Sequence, residues 1–162
     1  MKRIALVAHD SRKEELIEWC KYNKHVLMEH ELYATGTTGG LIERKVFTVE
    51  SEEDPETHTI NLKREKDINK LLSGALGGDA QIGAMIAEDK LDCLIFFCDN
   101  LIIQGHNNDV LGLTRLASLY NVAFATNRTT ADMIISSPLF KDEEYEPIIP
   151  DCIEKYVNRL IR

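Results

Sequence analysis

Hydroxyl-bearing residues and glycines are concentrated in the segment Tyr33–Gly40, which reads Tyr-Ala-Thr-Gly-Thr-Thr-Gly-Gly. Glycine lets the backbone approach an anion closely, threonine hydroxyls donate hydrogen bonds, and a following helix directs its unpaired N–H groups to the same point. The segment therefore predicts a phosphate-binding loop between a strand and a helix. An ordinary strand–helix turn with threonine caps would use similar residues.

Three other segments place polar residues where apolar strands are expected to end. They are 7–10 (Val-Ala-His-Asp), 72–79 (Leu-Ser-Gly-Ala-Leu-Gly-Gly-Asp) and 96–99 (Phe-Phe-Cys-Asp), and His106 follows shortly after the last. In an open parallel sheet the carboxyl ends of the strands share one edge, which is where ligands bind. The sequence therefore predicts one polar cleft at that edge, and Lys13 could reach an anion there or simply be solvated.

Acid–base chemistry is suggested by two aspartates and two histidines at the same edge. Asp79 opens a helix after two glycines, although an acidic residue there could also serve only as a helix cap. Asp99 follows a hydrophobic strand and must be paired, hydrogen-bonded or shifted in pKa. His9 and His106 could each be ordinary histidines, but their shared position with Asp79 favours proton transfer.

Metal binding is a weaker interpretation of the same segments. Asp10, Asp99 and Asp109 could suggest a metal site. However, many strand ends carry aspartates, and the sequence shows no further residues that would orient such ligands. The four cysteines lack C-x-x-C or zinc spacing, so we expect reduced and mostly packed thiols; they are Cys20, Cys93, Cys98 and Cys152. We therefore predict neither a metal nor a cofactor.

Composition predicts one ordinary domain over residues 1–162. Hydrophobic residues make up 44% and charged residues 28% of the chain, which is typical of globular proteins. A formal net charge of −8 argues against nonspecific nucleic-acid binding, which requires a basic surface. No apolar run is long enough to span a bilayer and no secretory signal is recognisable, so we expect a cytoplasmic protein that does not bind membranes.

The alternation of apolar runs and amphipathic segments indicates which elements position these residues. Predicted strands cover 3–8, 31–34, 68–72, 91–97 and 122–125, and predicted helices cover 13–25, 38–44, 79–87, 109–120, 131–136 and 153–161. Residues 46–50 and 57–62 alternate around a charged turn at 51–56, which predicts an inserted β-hairpin near 46–62. Strands that alternate with helices imply a three-layer α/β fold with a parallel sheet.

The ordered set of motifs resembles methylglyoxal synthase over nearly the whole chain. No single motif is specific, but an unrelated protein would have no reason to carry all of them in this order. They are V-A-H-D at 7–10 with Lys13, Y-A-T-G-T-T-G at 33–39, S-G-x-x-G-G-D at 73–79, F-F-x-D at 96–99, His106 with Asp109, R-L-A at 115–117, and A-T-N-x-x-T-A-D at 125–132.

This resemblance implies a flavodoxin-like parallel sheet, a homohexamer, and elimination of inorganic phosphate from dihydroxyacetone phosphate to give methylglyoxal. It makes Asp79 the catalytic base and His106 a helper in proton transfer, with His9 in contact with the substrate. The residues that hold the phosphate are then Lys13, Thr35, Gly36, Thr37, Thr38, Ser73 and Gly74. Asp10, Asp99 and Asp109 support the site, and Arg159 is the best match to an arginine that lies near a neighbouring subunit's site.

The sequence also departs from the family pattern. The hairpin near 46–62 lengthens the usual connection between the two phosphate-binding segments, and a tryptophan and a proline that usually flank Asp99 are replaced. His106 also lacks the acidic residue and proline that usually follow it. One rival is a ligand-sensing regulatory domain of this fold, as in carbamoyl phosphate synthetase. Another is a nucleotide-cyclising hydrolase domain, which we disfavour because a second catalytic domain is expected with it.

Overall fold

The computed structural model describes residues 1–53, 60–101 and 107–160. Several predicted features lie outside the described residues: residues 54–56 of the charged hairpin turn, residues 57–59 of the strand after it, His106, and residue 161 of the last predicted helix. Within the described ranges, no helix is both long enough and apolar enough to cross a membrane.

The central sheet consists of five parallel strands. Strands are numbered in chain order, and the sheet contains β1 (Arg3–Ala8), β2 (Glu31–Thr35), β5 (Asn69–Leu71), β6 (Cys93–Phe97) and β7 (Ala123–Ala125). Their spatial order is β5-β2-β1-β6-β7, and every pairing is parallel. The parallel α/β class is therefore confirmed. Counted in chain order, the five strands lie third-second-first-fourth-fifth, whereas flavodoxin itself has the order second-first-third-fourth-fifth.

Eight α-helices are present in the described part of the chain. They are α1 (Lys13–Tyr22), α2 (Lys24–Leu27), α3 (Gly36–Val46), α4 (Gly78–Ala87), α5 (Asn107–Leu119), α6 (Arg128–Ser136), α7 (Pro138–Lys141) and α8 (Asp151–Leu160). The predicted helix over 13–25 is interrupted at Asn23, whose side-chain amide donates to the Trp19 carbonyl oxygen at 3.0 Å. Asparagine competes with the backbone for hydrogen bonds in this way, which is why it often ends helices.

Two hydrophobic clusters cover the two faces of the sheet. On β1, Leu6 faces the cluster that contains Trp19 of α1, while Val7 faces the cluster that contains Ile82 of α4. Strands buried on both faces read as continuous apolar runs rather than as alternating ones, which explains the sequence of β1 and β6. The predicted three-layer arrangement is therefore confirmed.

A separate antiparallel pair of strands follows α3. It is formed by β3 (Thr48–Glu53) and β4 (Ile60–Arg64), with Thr48 opposite Arg64. The two strands were expected, but the predicted start at residue 46 was wrong because Val46 ends α3 and is buried with Phe47 in the core. The side chains of β4 are exposed along its length.

Glu43 connects this antiparallel pair to the main sheet. Its side chain is 6% exposed, and its carboxylate lies 2.5 Å from Lys70 Nζ and 4.0 Å from Arg64 Nη1. It also accepts the backbone N–H of Ile68 at 3.0 Å. Burial alone would raise its pKa, but the hydrogen bonds and positive charges of these partners outweigh burial and hold the pKa of Glu43 below its usual value.

We expect Glu43→Gln to lower the free energy of unfolding by about 2 kcal/mol at pH 7, because the buried Glu43 side chain loses the charge that pairs with Lys70 and Arg64. A carboxylate whose pKa is lower in the folded state stabilises the protein above its unfolded pKa of 4.5 and stops doing so as the pH falls through its folded pKa. Urea unfolding at pH 7 and at progressively lower pH should therefore show the difference between wild type and variant shrinking. Glu14→Gln is the matched control, since Glu14 forms an exposed pair with Lys45, and an equal loss in both variants would contradict the prediction.

Candidate active site

The predicted polar cleft lies at the carboxyl edge of the parallel sheet. Its volume is about 400 Å³, and it is surrounded by the ends of β1, β2 and β6 and by the segment after β5. Between β1 and β6 the strand order reverses direction, which is the position where open α/β sheets bind ligands. The residues that line it are Val7, Ala8, His9, Asp10, Lys13, Thr35, Thr37, Thr38, Ser73, Gly74, Ala75, Asp79, Phe96 and Val110.

The predicted phosphate-binding loop, residues 33–40, forms the end of β2 and the first turns of α3. Helix α3 begins at Gly36, two residues before the predicted start, and Thr35 is the extended residue that precedes it. The first backbone N–H groups of a helix have no partners within the helix and carry its positive dipole end. Thr35 and Thr38 are both buried, so their side chains are held in place beside these N–H groups.

Gly36 allows the close approach of a neighbouring segment. A Cβ atom at this position would lie 3.2 Å from both the Cα and the backbone nitrogen of Ser73. The start of α3 and the segment after β5 therefore meet backbone to backbone, without an intervening side chain. This contact brings together the two segments that the sequence assigns to phosphate binding.

Lys13 supplies a cation beside the first turn of α3. Its Nζ donates to Thr37 Oγ1 at 2.8 Å and lies 2.5 Å from Asp10 Oδ1. The hydrogen bond and positive charge of Lys13 hold the pKa of the largely exposed Asp10 carboxyl below its usual value. Lys13 is therefore held beside the N-terminus of α3, in a position to interact with an anion.

Asp79 is the second residue of α4 and is half-buried at the cleft. It follows a sharp turn in which Gly77 has φ +101° and the Gly78 N–H donates to the Ser73 carbonyl oxygen at 2.9 Å. A Cβ atom at Gly74 would lie 3.1 Å from Asp79 Oδ2. The carboxylate is thus packed directly against the backbone at Gly74, in the segment after β5.

His9 lies at the end of β1, across from the end of β6. The backbone N–H of Asp99 donates to His9 Nδ1 at 2.8 Å, and the imidazole makes an edge contact with the ring of Phe96 at 5.0 Å between centroids. Asp99 itself accepts the Ser11 hydroxyl at 2.5 Å and the Leu101 N–H at 2.9 Å. Sequence reasoning missed Ser11, whose only signal is its position two residues after His9.

Some of the predicted site residues are not brought to the cleft within the described structure. Arg159 is an exposed residue of α8 and does not line the cleft. The backbone of Asp109 belongs to α5, while its side chain and all of His106 lie outside the described residues. In the described ranges, no group of three acidic, histidine or cysteine residues is arranged to hold a metal ion.

Three of the four cysteines are buried and only Cys152 is exposed, as predicted for mostly packed thiols. Burial raises the pKa of Cys98, the cysteine nearest the cleft, to about 11. A thiol with this pKa is almost entirely protonated at neutral pH and is a poor nucleophile. The chemistry of the cleft must therefore depend on its carboxylates, imidazole, lysine and backbone N–H groups.

The fold and the polar edge of the sheet define an α/β protein of the MGS-like class, and the family model described as MGS-like domain matches residues 15–126. A methylglyoxal synthase of Coxiella burnetii strain RSA 493 is 46% identical over 161 residues, which is 99% of each chain. A methylglyoxal synthase of Leptospira interrogans serovar Lai is 51% identical over 140 residues, covering 86% of this chain and 82% of that protein. The crystal structure of methylglyoxal synthase from Elizabethkingia anophelis NUHP1 superposes with a TM-score of 0.78 at 39% identity, covering 99% of this chain and 91% of that one. The chain therefore belongs to the methylglyoxal synthase family.

Proposed function

We propose that this enzyme eliminates inorganic phosphate from dihydroxyacetone phosphate and forms methylglyoxal through an enediolate. The observation that carries the proposal is the arrangement of one cleft in which a cationic, N–H-rich phosphate site lies beside a carboxylate. Lys13 and Thr37 are on one side, and Asp79 packs against Gly74 on the other. Membership of the methylglyoxal synthase family supports the same reaction.

The substrate phosphate is placed at the N-terminus of α3. Its oxygens accept hydrogen bonds from the first-turn N–H groups of the helix and from Lys13 Nζ, which combine positive charge with fixed donors. The proposed phosphate ligands are those expected from the resemblance: Lys13, Thr35, Gly36, Thr37, Thr38, Ser73 and Gly74. Asp10 keeps Lys13 oriented through their ion pair, and it remains a supporting residue.

Asp79 is the proposed base. Its carboxylate removes a proton from the hydroxymethyl carbon next to the ketone, and the resulting negative charge is stabilised on oxygen by hydrogen-bond donors. His9 supplies one such donor, and His106 assists proton transfer in this proposal on the strength of the resemblance. Asp99 supports His9 through the hydrogen bond from its backbone N–H, while Asp109 remains a supporting residue by resemblance alone.

Phosphate then leaves from the carbon at the other end of the substrate. A proton first passes from the hydroxyl on the deprotonated carbon to the former ketone oxygen. The oxygen that has lost this proton then forms a C=O bond, the C=C bond shifts toward the phosphate-bearing carbon, and the C–O bond to phosphate breaks with its electron pair going to phosphate. The product is the enol of methylglyoxal, which gains a proton on carbon to give the methyl ketone. The breaking bond must lie roughly perpendicular to the enediolate plane, so the phosphate site selects elimination over isomerisation.

The direct test is to incubate the purified protein with dihydroxyacetone phosphate and to quantify methylglyoxal and released phosphate separately. We expect equal amounts of the two products. Binding of substrate or phosphate without turnover would instead support the ligand-sensing regulatory alternative, since such a domain requires the phosphate site but no catalytic base.

Lys13→Ala and Thr37→Ala are each expected to weaken the binding of substrate and the binding of inorganic phosphate in parallel. We expect KM for the substrate and Ki for phosphate to rise together by about tenfold or more, because a hydrogen bond to a charged group is lost. Lys45→Ala is the matched control, since Lys45 also lies beside α1 but pairs with the exposed Glu14. A change in KM without a change in Ki would place the phosphate elsewhere.

We also propose, on the resemblance, that the chain forms a single-domain subunit of a cytoplasmic homohexamer and that its reaction bypasses part of glycolysis. Arg159 would then lie near the site of a neighbouring subunit. Exposed apolar residues on the same helix, Tyr156 and Val157 at 62% and 51% exposure, are available for subunit contacts. No nucleic-acid or membrane partner is proposed.

The inserted hairpin is expected to contribute to assembly or to access to the cleft. Deleting residues 48–64 and closing the gap with a short glycine–serine linker should change the oligomeric mass or the kinetic constants, since Arg64 of β4 approaches Glu43 of α3. Sedimentation velocity and steady-state kinetics check the two possibilities. A variant that matches wild type in both measurements would rule out this role.

A further inference from the structure

A continuous set of hydrogen bonds links Ser11, Asp99 and His9 at the junction of β1 and β6. The Ser11 hydroxyl donates to Asp99 Oδ2 at 2.5 Å, and the Leu101 N–H donates to Asp99 Oδ1 at 2.9 Å. Both carboxylate oxygens of Asp99 are therefore engaged. One contact is a local turn formed by Asp99 itself, and the other ties that turn to the segment that carries His9.

The same junction fixes the backbone of Asp99 relative to the imidazole. The His9 N–H donates to the Phe97 carbonyl oxygen at 3.2 Å, which extends the β1–β6 pairing by one residue. The Asp99 N–H then donates to His9 Nδ1 at 2.8 Å. Since Ser11 and His9 belong to one turn, the two side-chain contacts to Asp99 hold it from two directions.

A neutral imidazole has one protonated and one unprotonated nitrogen, and only the unprotonated nitrogen accepts a hydrogen bond. Because Nδ1 accepts the Asp99 N–H, the ring proton must be on Nε2. No described residue is hydrogen-bonded to Nε2, and His9 lines the cleft. The nitrogen that remains to interact with a ligand is therefore an N–H donor.

We propose that Ser11 is a positioning residue that holds Asp99 so that His9 keeps its proton on Nε2 and presents that N–H to a substrate oxygen. The proposal rests on the proposed function for the identity of that oxygen, which is the one that becomes negatively charged in the enediolate. A donor fixed in place before the reaction stabilises such charge without reorganisation. Ser11 acts only through Asp99 and His9 and does not itself contact the substrate.

The first test measures the His9 tautomer in the ligand-free protein. Long-range proton–nitrogen NMR spectra of protein labelled with 15N-histidine distinguish protonated from unprotonated ring nitrogens, and His9→Gln assigns the signals. Spectra are recorded near pH 8.5, about two units above the ordinary pKa of imidazole, because the two tautomers exist only in the neutral ring. We expect a protonated Nε2 in wild type and in Ser11→Thr, and a shift of both nitrogen signals toward a tautomer mixture in Ser11→Ala.

The second test separates positioning from a general structural effect. In Ser11→Ala we expect kcat for methylglyoxal formation to fall by about tenfold, because one hydrogen bond to a charged group is lost. We expect Ki for inorganic phosphate to stay within about twofold of wild type, because the lost hydrogen bond is away from the phosphate site. Ser11→Thr should restore kcat, because it keeps the hydroxyl. Circular dichroism and sedimentation confirm that all variants fold and assemble equally.

Two results would overturn the proposal: a wild-type His9 protonated on Nδ1, or a Ser11→Ala variant whose tautomer and kcat equal those of wild type. The NMR measurement requires no substrate. If the tautomer changes as expected while wild type fails to convert dihydroxyacetone phosphate, the positioning role of Ser11 stands and the proposed function fails.

Discussion

Replacement of Asp79 by asparagine is expected to lower kcat for methylglyoxal formation by about a thousandfold, the size typical for loss of a general base. An amide has nearly the same shape as the carboxylate but cannot take up the substrate proton. Asparagine is also accepted near a helix N-terminus, and it can fill the space beside Gly74 that the Asp79 carboxylate occupies. The loss should therefore be chemical rather than structural.

The binding of inorganic phosphate distinguishes loss of the base from a structural change at the cleft. In Asp79→Asn we expect Ki for phosphate to stay the same or to decrease slightly, because a negative charge beside the anion site has been removed. Asp89→Asn is the matched control: Asp89 follows the other end of α4, and its φ of 55° is one that asparagine adopts readily. A correctly folded Asp79→Asn enzyme with near-normal turnover would show that another residue is the base.

The polar residues at the strand ends could be predicted because each is identified by its immediate neighbours in the sequence. His9, Thr35 and Ser73 directly follow apolar runs, and a parallel sheet places the ends of such runs at one edge. The cleft contains all three. The helix that carries Asp79 could be predicted in the same way, since two glycines precede an apolar stripe at helical spacing; it begins at Gly78, one residue before the predicted start.

Features that depend on contacts between residues far apart in the sequence could not be predicted in this way. The start of α3 at Gly36 depends on the approach of Ser73, and the burial of Phe47 beyond the end of α3 depends on core packing. Both lie in residues whose local pattern favoured a turn or a strand. Ser11 is another example, because its contact with Asp99 joins residues 88 positions apart in the chain.

Gly78→Ala is expected to destabilise the protein more than alanine at Gly36 or Gly74, where the added Cβ atom would make less severe contacts. A Cβ atom at Gly78 would lie 2.1 Å from the Leu72 carbonyl oxygen and 3.0 Å from its carbonyl carbon. Because both are backbone atoms, no change of side-chain rotamer can relieve the overlap. We expect the free energy of unfolding to fall by about 3 kcal/mol or more, as measured by urea denaturation.

The displaced backbone carries Ser73 and Asp79, so function should fall in the molecules that still fold. The Gly78 N–H donates to the Ser73 carbonyl oxygen, and a shift of about 1 Å in such a contact can cost about a hundredfold in rate. Gly112→Ala is the control: it lies in α5 with no described atom within 4 Å of its Cβ position, and alanine should stabilise that helix by up to about 1 kcal/mol. If Gly78→Ala unfolds at the wild-type urea concentration with normal kcat, the backbone of residues 72–79 does not form the tight turn on which the position of Asp79 depends.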